Sequence, residues 1–366
     1  MAASIVCLTG QSENLLGMCA MNAGRRRLEL GLLPTAPIGS HALPAIYLMA
    51  LERIRAGEIG ESDLREALED ASQLAILDQE RAGLDLVSDG EVRRHDFILS
   101  FYGRLTGLRE VPPARRLGPY LYDSTPIWEV VEPVAAPAGL GTVSEFEFAA
   151  SRTARPVKVA CAGPLTLQQP LRLAGGYHRR EDLLWDLAAV VNGELKQLVA
   201  AGCRFVQVDE SSHAAYGAGP AQLVELFNRT VQGVDAHVAL HLCFGNLRGR
   251  PHSPRRYRDL LPALGDARAD VLMLEFANRE MAEIGEVGAA ELPQDIAAGV
   301  IDVKSFHHES AEVVADRLRQ VTRHIAPERV WAVPDCGLWE TPRWLAVRKL
   351  AAMTAGARIV REELQG

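Results

Sequence analysis

Six cysteines in 366 residues are too few and too scattered for a disulfide framework. That excludes the small secreted scaffolds and points to a reducing compartment, the cytoplasm. No apolar run approaches the about 20 residues that a membrane-spanning helix needs. A basic surplus is missing too. The 39 Lys and Arg against 47 Asp and Glu leave a net charge of -8, which attracts neither a nucleic-acid backbone nor an anionic lipid surface. Lysine is the scarcest basic residue: only four of the 39 are Lys. No tandem repeat or low-complexity tract occurs. Residues 1–32 read as an appended tail, because the cluster Arg25-Arg26-Arg27 follows the apolar stretch instead of preceding it, contrary to a signal peptide. A hydrophobic content of 48% remains, enough for a large core around a small-molecule site.

Eight apolar, β-rich runs are present, at residues 33–38, 84–88, 157–162, 204–208, 238–242, 271–274, 300–303 and 330–334. Segments with helical period lie between them at 61–82, 180–201, 220–231, 311–324 and 342–356. Runs that are apolar throughout suit parallel strands covered by helices. Strict alternation predicts an α/β fold, a single (β/α)8 TIM barrel over residues 33–366. Residues 108–155 are rich in Pro and Gly and predict a lobe inserted after the second βα unit.

In such a barrel the active site lies at the C-terminal ends of the strands. There the sequence places Ser40, Glu91, Asp209 with Glu210, His241 with Cys243, Glu275, Lys304 and Cys336. His241 and Cys243 are two apart in one strand, so both side chains project to one face. Imidazole and thiolate are ligands that zinc prefers, and Glu275 and Cys336 can complete a tetrahedral shell. A buried cysteine beside a core histidine is the competing reading of the pair alone. Solvated loop acids compete for Asp209 and Glu210, a salt bridge to Arg93 or Arg94 for Glu91, and an ion pair with Asp302 or Glu275 for Lys304.

His241-Leu242-Cys243, Glu275 after Val271-Leu272-Met273-Leu274, and Pro334-Asp335-Cys336-Gly337-Leu338 resemble the zinc-ligand motifs of the cobalamin-independent methionine synthase family. Ile38-Gly39-Ser40, Asp89-Gly90-Glu91, Val206 to Glu210 and Gly299 to Val303 resemble its other strand-end motifs, in the family's order. The resemblance implies a zinc ion on His241, Cys243, Glu275 and Cys336, and homocysteine as the methyl acceptor. It implies that Ser40 and the backbone near Ile38 hold the substrate carboxylate, and that Glu91 and Asp209 hold its ammonium. Lys304, Asp302 and Glu210 are the catalytic candidates. Lys304 stands where the two-barrel members have a histidine. This chain matches only their second barrel, which leaves the donor open between a methylcorrinoid, on a corrinoid protein or free, and methyltetrahydrofolate. Epoxide opening by another thiol, as in epoxyalkane:coenzyme M transferase, is the alternative chemistry. A noncatalytic zinc- or corrinoid-binding barrel and a metal-free barrel like uroporphyrinogen decarboxylase are the others.

Overall fold

Six strands hydrogen-bond side by side in one parallel sheet: β3 (Lys158–Ala162), β5 (Phe205–Asp209), β6 (His237–Leu242), β7 (Val271–Leu274), β8 (Asp295–Ile301) and β9 (Val330–Pro334). The strands come from a computed structural model that describes residue 28 and residues 30–94, 96–112, 127–211, 219–246, 250–251 and 255–366. Two further staves close the sheet on itself. Thr35 bridges to Ala332 of β9, and Val87 bridges to Val157 just before β3. Asp85 N and Leu86 N both donate to Thr35 O, at 3.0 and 3.2 Å, and join the two staves to each other. The ring therefore runs from β3 through β9 to residues 33–38 and 84–88 and back, as a (β/α)8 barrel requires.

The two closing staves are single bridges instead of regular strands. Pro34 and Pro37 remove two ladder donors from the first, and Thr35 O spends both lone pairs on adjacent amides of the second. The run at residues 300–303 is also corrected: β8 starts earlier, at Asp295. Its Ala297, Ala298 and Gly299 have low strand propensity, and packing against β7 and β9 overrides it.

The barrel interior is lined by Ala36, Ile38, Leu86, Phe205, Ala239, Val271, Met273, Ala297, Trp331 and Val333. The alternate residues of the same strands face the helices and join a larger apolar cluster. The helices Glu61–Ala82, Arg180–Ala200, Pro220–Thr230 and Ala311–Thr322 form where the periodicity predicts them, and Arg343–Gln365 continues past the expected end at 356. Ser310 caps one, accepting from Val313 N at 3.3 Å, and Pro220 opens another where a missing N–H costs nothing. Leu187, Leu195 and Leu198 are fully buried, and each such side chain contributes about 1.5–3 kcal/mol.

Over residues 106–150, starting just before the expected bound of 108, the structure has an antiparallel pair, β1 (Thr106–Val111) with β2 (Ile127–Ala135), and a helix Thr142–Ala150. This sheet also recruits β4 (Leu171–Leu173), which lies beyond the expected bounds and pairs parallel to β2. Most of the expected tail, and Gly118, Pro119, Tyr120 and Tyr122, lie outside the described residues. Among the described residues no helix is long and apolar enough to cross a membrane.

Candidate metal centre

His241 and Cys243 sit at the end of β6, and Cys336 follows β9. The structure brings them together: one ligand atom from each lies within 4.8 Å of the others. The two Sγ atoms are 3.5 Å apart, a hydrogen bond and far from a disulfide. That shared bond pushes the Cys243 thiol up and brings Cys336 down to about 7, with His241 and Lys304 favouring the Cys336 thiolate. Burial alone would lower His241, but Asp209 outweighs it and raises the imidazole. His241 Nδ1 lies 2.8 Å from Asp209 Oδ1. A carboxylate only accepts, so Nδ1 carries a proton, and Nε2 is the nitrogen left for a metal, which would replace any proton there. His241 Nε2 is buried and has no hydrogen-bond partner. An orphaned ring nitrogen beside two sulfurs is a donor set that fits zinc.

Glu275 does not join this group of three. Its fully buried Oε2 accepts from Lys304 Nζ at 2.7 Å and from Phe244 N at 3.3 Å, while Oε1 is buried without a partner. Burial would lower Lys304, and the Glu275 charge raises it instead. Lys304 N donates to Asp302 Oδ1 at 2.8 Å, which also accepts from Asn278 Nδ2 at 3.1 Å. Asp302 thus shapes the turn that delivers Lys304. His307 and His308 beyond it are exposed.

Ser40 and Glu91 reach the same mouth through glycines. A Cβ on Gly39 would lie 2.2 Å from Glu91 Oε1, and one on Gly337 would lie 2.0 Å from Ser40 Oγ. Leu338 N donates to Ser40 O at 2.8 Å, tying this loop to the Cys336 loop. Glu91 is buried, 3.3 Å from Arg94 Nη1, and Arg94 grips Glu145 through two nitrogens. Burial pushes Glu91 up to about 8; Arg94 opposes this and nearby Asp209 adds to it. His41 is turned to Asp78, at 3.1 Å. Asp209 and Glu210 are both buried, so neither is a solvated loop acid. Glu210 accepts from Leu165 N, Thr166 N and Thr166 Oγ1, bracing the short helix Pro164–Gln168.

Three residues that sequence reading missed hold the site together. Asp335 accepts from Phe276 N, Ala277 N and Asn278 N, at 2.9, 2.9 and 2.6 Å, and so locks the Glu275 loop against the Cys336 loop. Lys158 and Gln207 lie inside the barrel beneath Asp209. Lys158 Nζ donates to Ile38 O at 2.6 Å and to Gln207 Oε1, and Gln207 Nε2 donates to Asp209 Oδ1 at 2.6 Å. The available signal was an acid directly before Cys336 and a lysine interrupting the apolar run Val157-Lys158-Val159.

Residues 33–358 match the family model described as the cobalamin-independent synthase, catalytic domain. This chain belongs to that family. Within the cobalamin-independent synthase family it is 33% identical over 338 residues to a methionine synthase of Sulfurisphaera tokodaii, covering 92% of this chain and 95% of the relative. A methionine synthase of Saccharolobus solfataricus is 32% identical over 340 residues, covering 92% and 97%. Among solved structures, a B12-independent methionine synthase from a Shewanella species in complex with selenomethionine is 27% identical, with a TM-score of 0.75 over 92% of this chain and 99% of that one. The resemblance carried by the strand-end motifs is thereby borne out.

Proposed function

We propose that this chain transfers a methyl group to the sulfur of homocysteine, forming methionine, at a zinc centre built on His241, Cys243 and Cys336 with Glu275 as the fourth, exchangeable ligand. The reading rests above all on the buried, unpartnered Nε2 of His241 beside two sulfurs, its Nδ1 already committed to Asp209. Zinc supplies one thing when bound: it favours the thiolate form of a substrate thiol whose free pKa is about 8.5.

The chain's own residues do the rest. Asp209 and Glu91 face the substrate ammonium, whose charge favours the ionised form of Glu91 that burial disfavours without it, and such charge-assisted bonds discriminate against thiols without an amine. Ser40, whose Oγ lies against Gly337, offers its hydroxyl to the substrate carboxylate in this reading. Lys304 holds Glu275 by one oxygen and leaves the other for the metal, so the carboxylate can exchange without losing a partner. Holding the thiol and the donor in line at the mouth makes the transfer effectively unimolecular. The domain spans residues 33–366, acts in the cytoplasm, and takes its methyl group from a methylcorrinoid or from methyltetrahydrofolate.

One incubation tests the reading. Zinc-loaded protein receives homocysteine with, in turn, methylcobalamin, methyltetrahydrofolate and an epoxide, and the product mass is measured. Methionine from either methyl donor is expected. A thioether from the epoxide with no methionine from either donor would transfer the assignment to epoxide opening.

A further inference from the structure

Lys158 is a cation placed where a cation is expensive. It projects from β3 into the barrel interior, almost fully buried, with the Phe205 ring 6.0 Å and Met273 Sδ 4.0 Å away. Burial pushes it down to about 7 against the pull of Asp209 and Glu91. A methionine would fill this space without desolvating a charge, and apolar replacements of buried ions are commonly neutral or stabilising. Packing alone therefore gives no reason for a lysine here, least of all in a chain with only four.

Its bonds supply a reason. An ammonium only donates, so Gln207 must turn its Oε1 toward Lys158. The amide's Nε2 is then left to donate, and it meets Asp209 Oδ1 at 2.6 Å. The same Oδ1 accepts from His241 Nδ1. Three links in series thus run from the ammonium to the imidazole, each fixing the orientation of the next. Gln207 and Asp209 share one face of β5 because they are two apart, and His241 is opposite Asp209 in the β5–β6 register. The second bond of Lys158, to Ile38 O, holds the stave that carries Ser40.

Resting on the reading of His241, Cys243 and Cys336 as a metal centre, we infer that Lys158 and Gln207 are positioning residues: through Asp209 they orient His241 for the metal, and through Ile38 they set the substrate-binding edge. The chain couples metal grip and amino-acid binding beneath the site, with no contact of its own to either ligand.

Zinc affinity is measured by chelator competition, and the Co(II) absorption spectrum and homocysteine KM are recorded, for wild type, Lys158→Met, Gln207→Leu and Asp209→Asn. Zinc affinity should fall about tenfold or more in Lys158→Met and Gln207→Leu, as is usual for partners behind a ligand. The Co(II) spectrum should shift and KM should rise, with the melting temperature held. Adding Gln207→Leu to Asp209→Asn should cost little more, since among the described residues Gln207 reaches the ring through Asp209. Gln207→Leu keeps the test alive if Lys158→Met does not fold. Wild-type protein that binds zinc, with Gln207→Leu binding it equally and giving an unchanged spectrum, would overturn this inference alone. A wild type that takes no zinc would overturn the centre and this inference together.

Discussion

Cys243 and Cys336 present sulfur to one another at 3.5 Å without a covalent bond, on loops that the apolar staves below already hold in place. Cys243→Ser or Cys336→Ser should therefore abolish tight zinc binding and methyl transfer while the far-UV circular dichroism stays that of the parent. Full zinc stoichiometry in both variants would remove the pair from the centre. Glu91 gives a pH signature with a defined sign. Its carboxyl is raised from 4.5 to about 8, so the folded state binds the extra proton. The stability it adds is complete below about 4.5 and is lost as pH climbs through about 8. Glu91→Gln should flatten the fall in melting temperature across that window, and an unchanged slope would assign the dependence to other groups.

At the scale of elements, the register of β8 on β9 shifts between Gly299 and Ile301, and this irregularity admits Asp335. A Cβ on Gly299 would lie 2.2 Å from Asp335 Oδ1 and 2.9 Å from its Cα, backbone that cannot swing aside. Gly299→Ala should cost about 1–3 kcal/mol in urea unfolding and weaken zinc binding with it; a stability within error of the parent would mean that the loop gives way freely. Elements were legible in proportion to how local their causes are. The helix Glu61–Ala82 was read to its ends, since periodicity and the Gly83 stop, at φ 88, lie in adjacent residues. The start of β8 was hidden, because Ala297-Ala298-Gly299 becomes a strand only through its neighbours on both sides.

For the whole molecule, stripping metal with a chelator should remove activity but leave a folded barrel, because the ring closes through backbone bonds of Thr35 and Val87 that do not pass through the sulfurs. Calorimetry should show a lower melting temperature that zinc restores with the logarithm of its free concentration; collapse of the fold on chelation would show that the metal holds the ring. Strand period puts His241 and Cys243 on one face, whereas strand ends and family resemblance together name Cys336 and also Glu275, which does not join the group of three. Lys158 could not be read from any of these, since its meaning depends on Ile38 and Gln207, which only barrel closure sets beside it.

Closure has a further consequence in the ribosome's exit path. The first stave docks on β9, so Thr35 waits for Ala332, almost 300 residues later in synthesis, before it has its partner. Ser40 meets Gly337, and Cys243 meets Cys336, on the same late schedule. A growing polypeptide is thus unable to assemble its thiol-activating machinery until residues 332–337 have been translated, and one that stops short of them captures no ion in the native way.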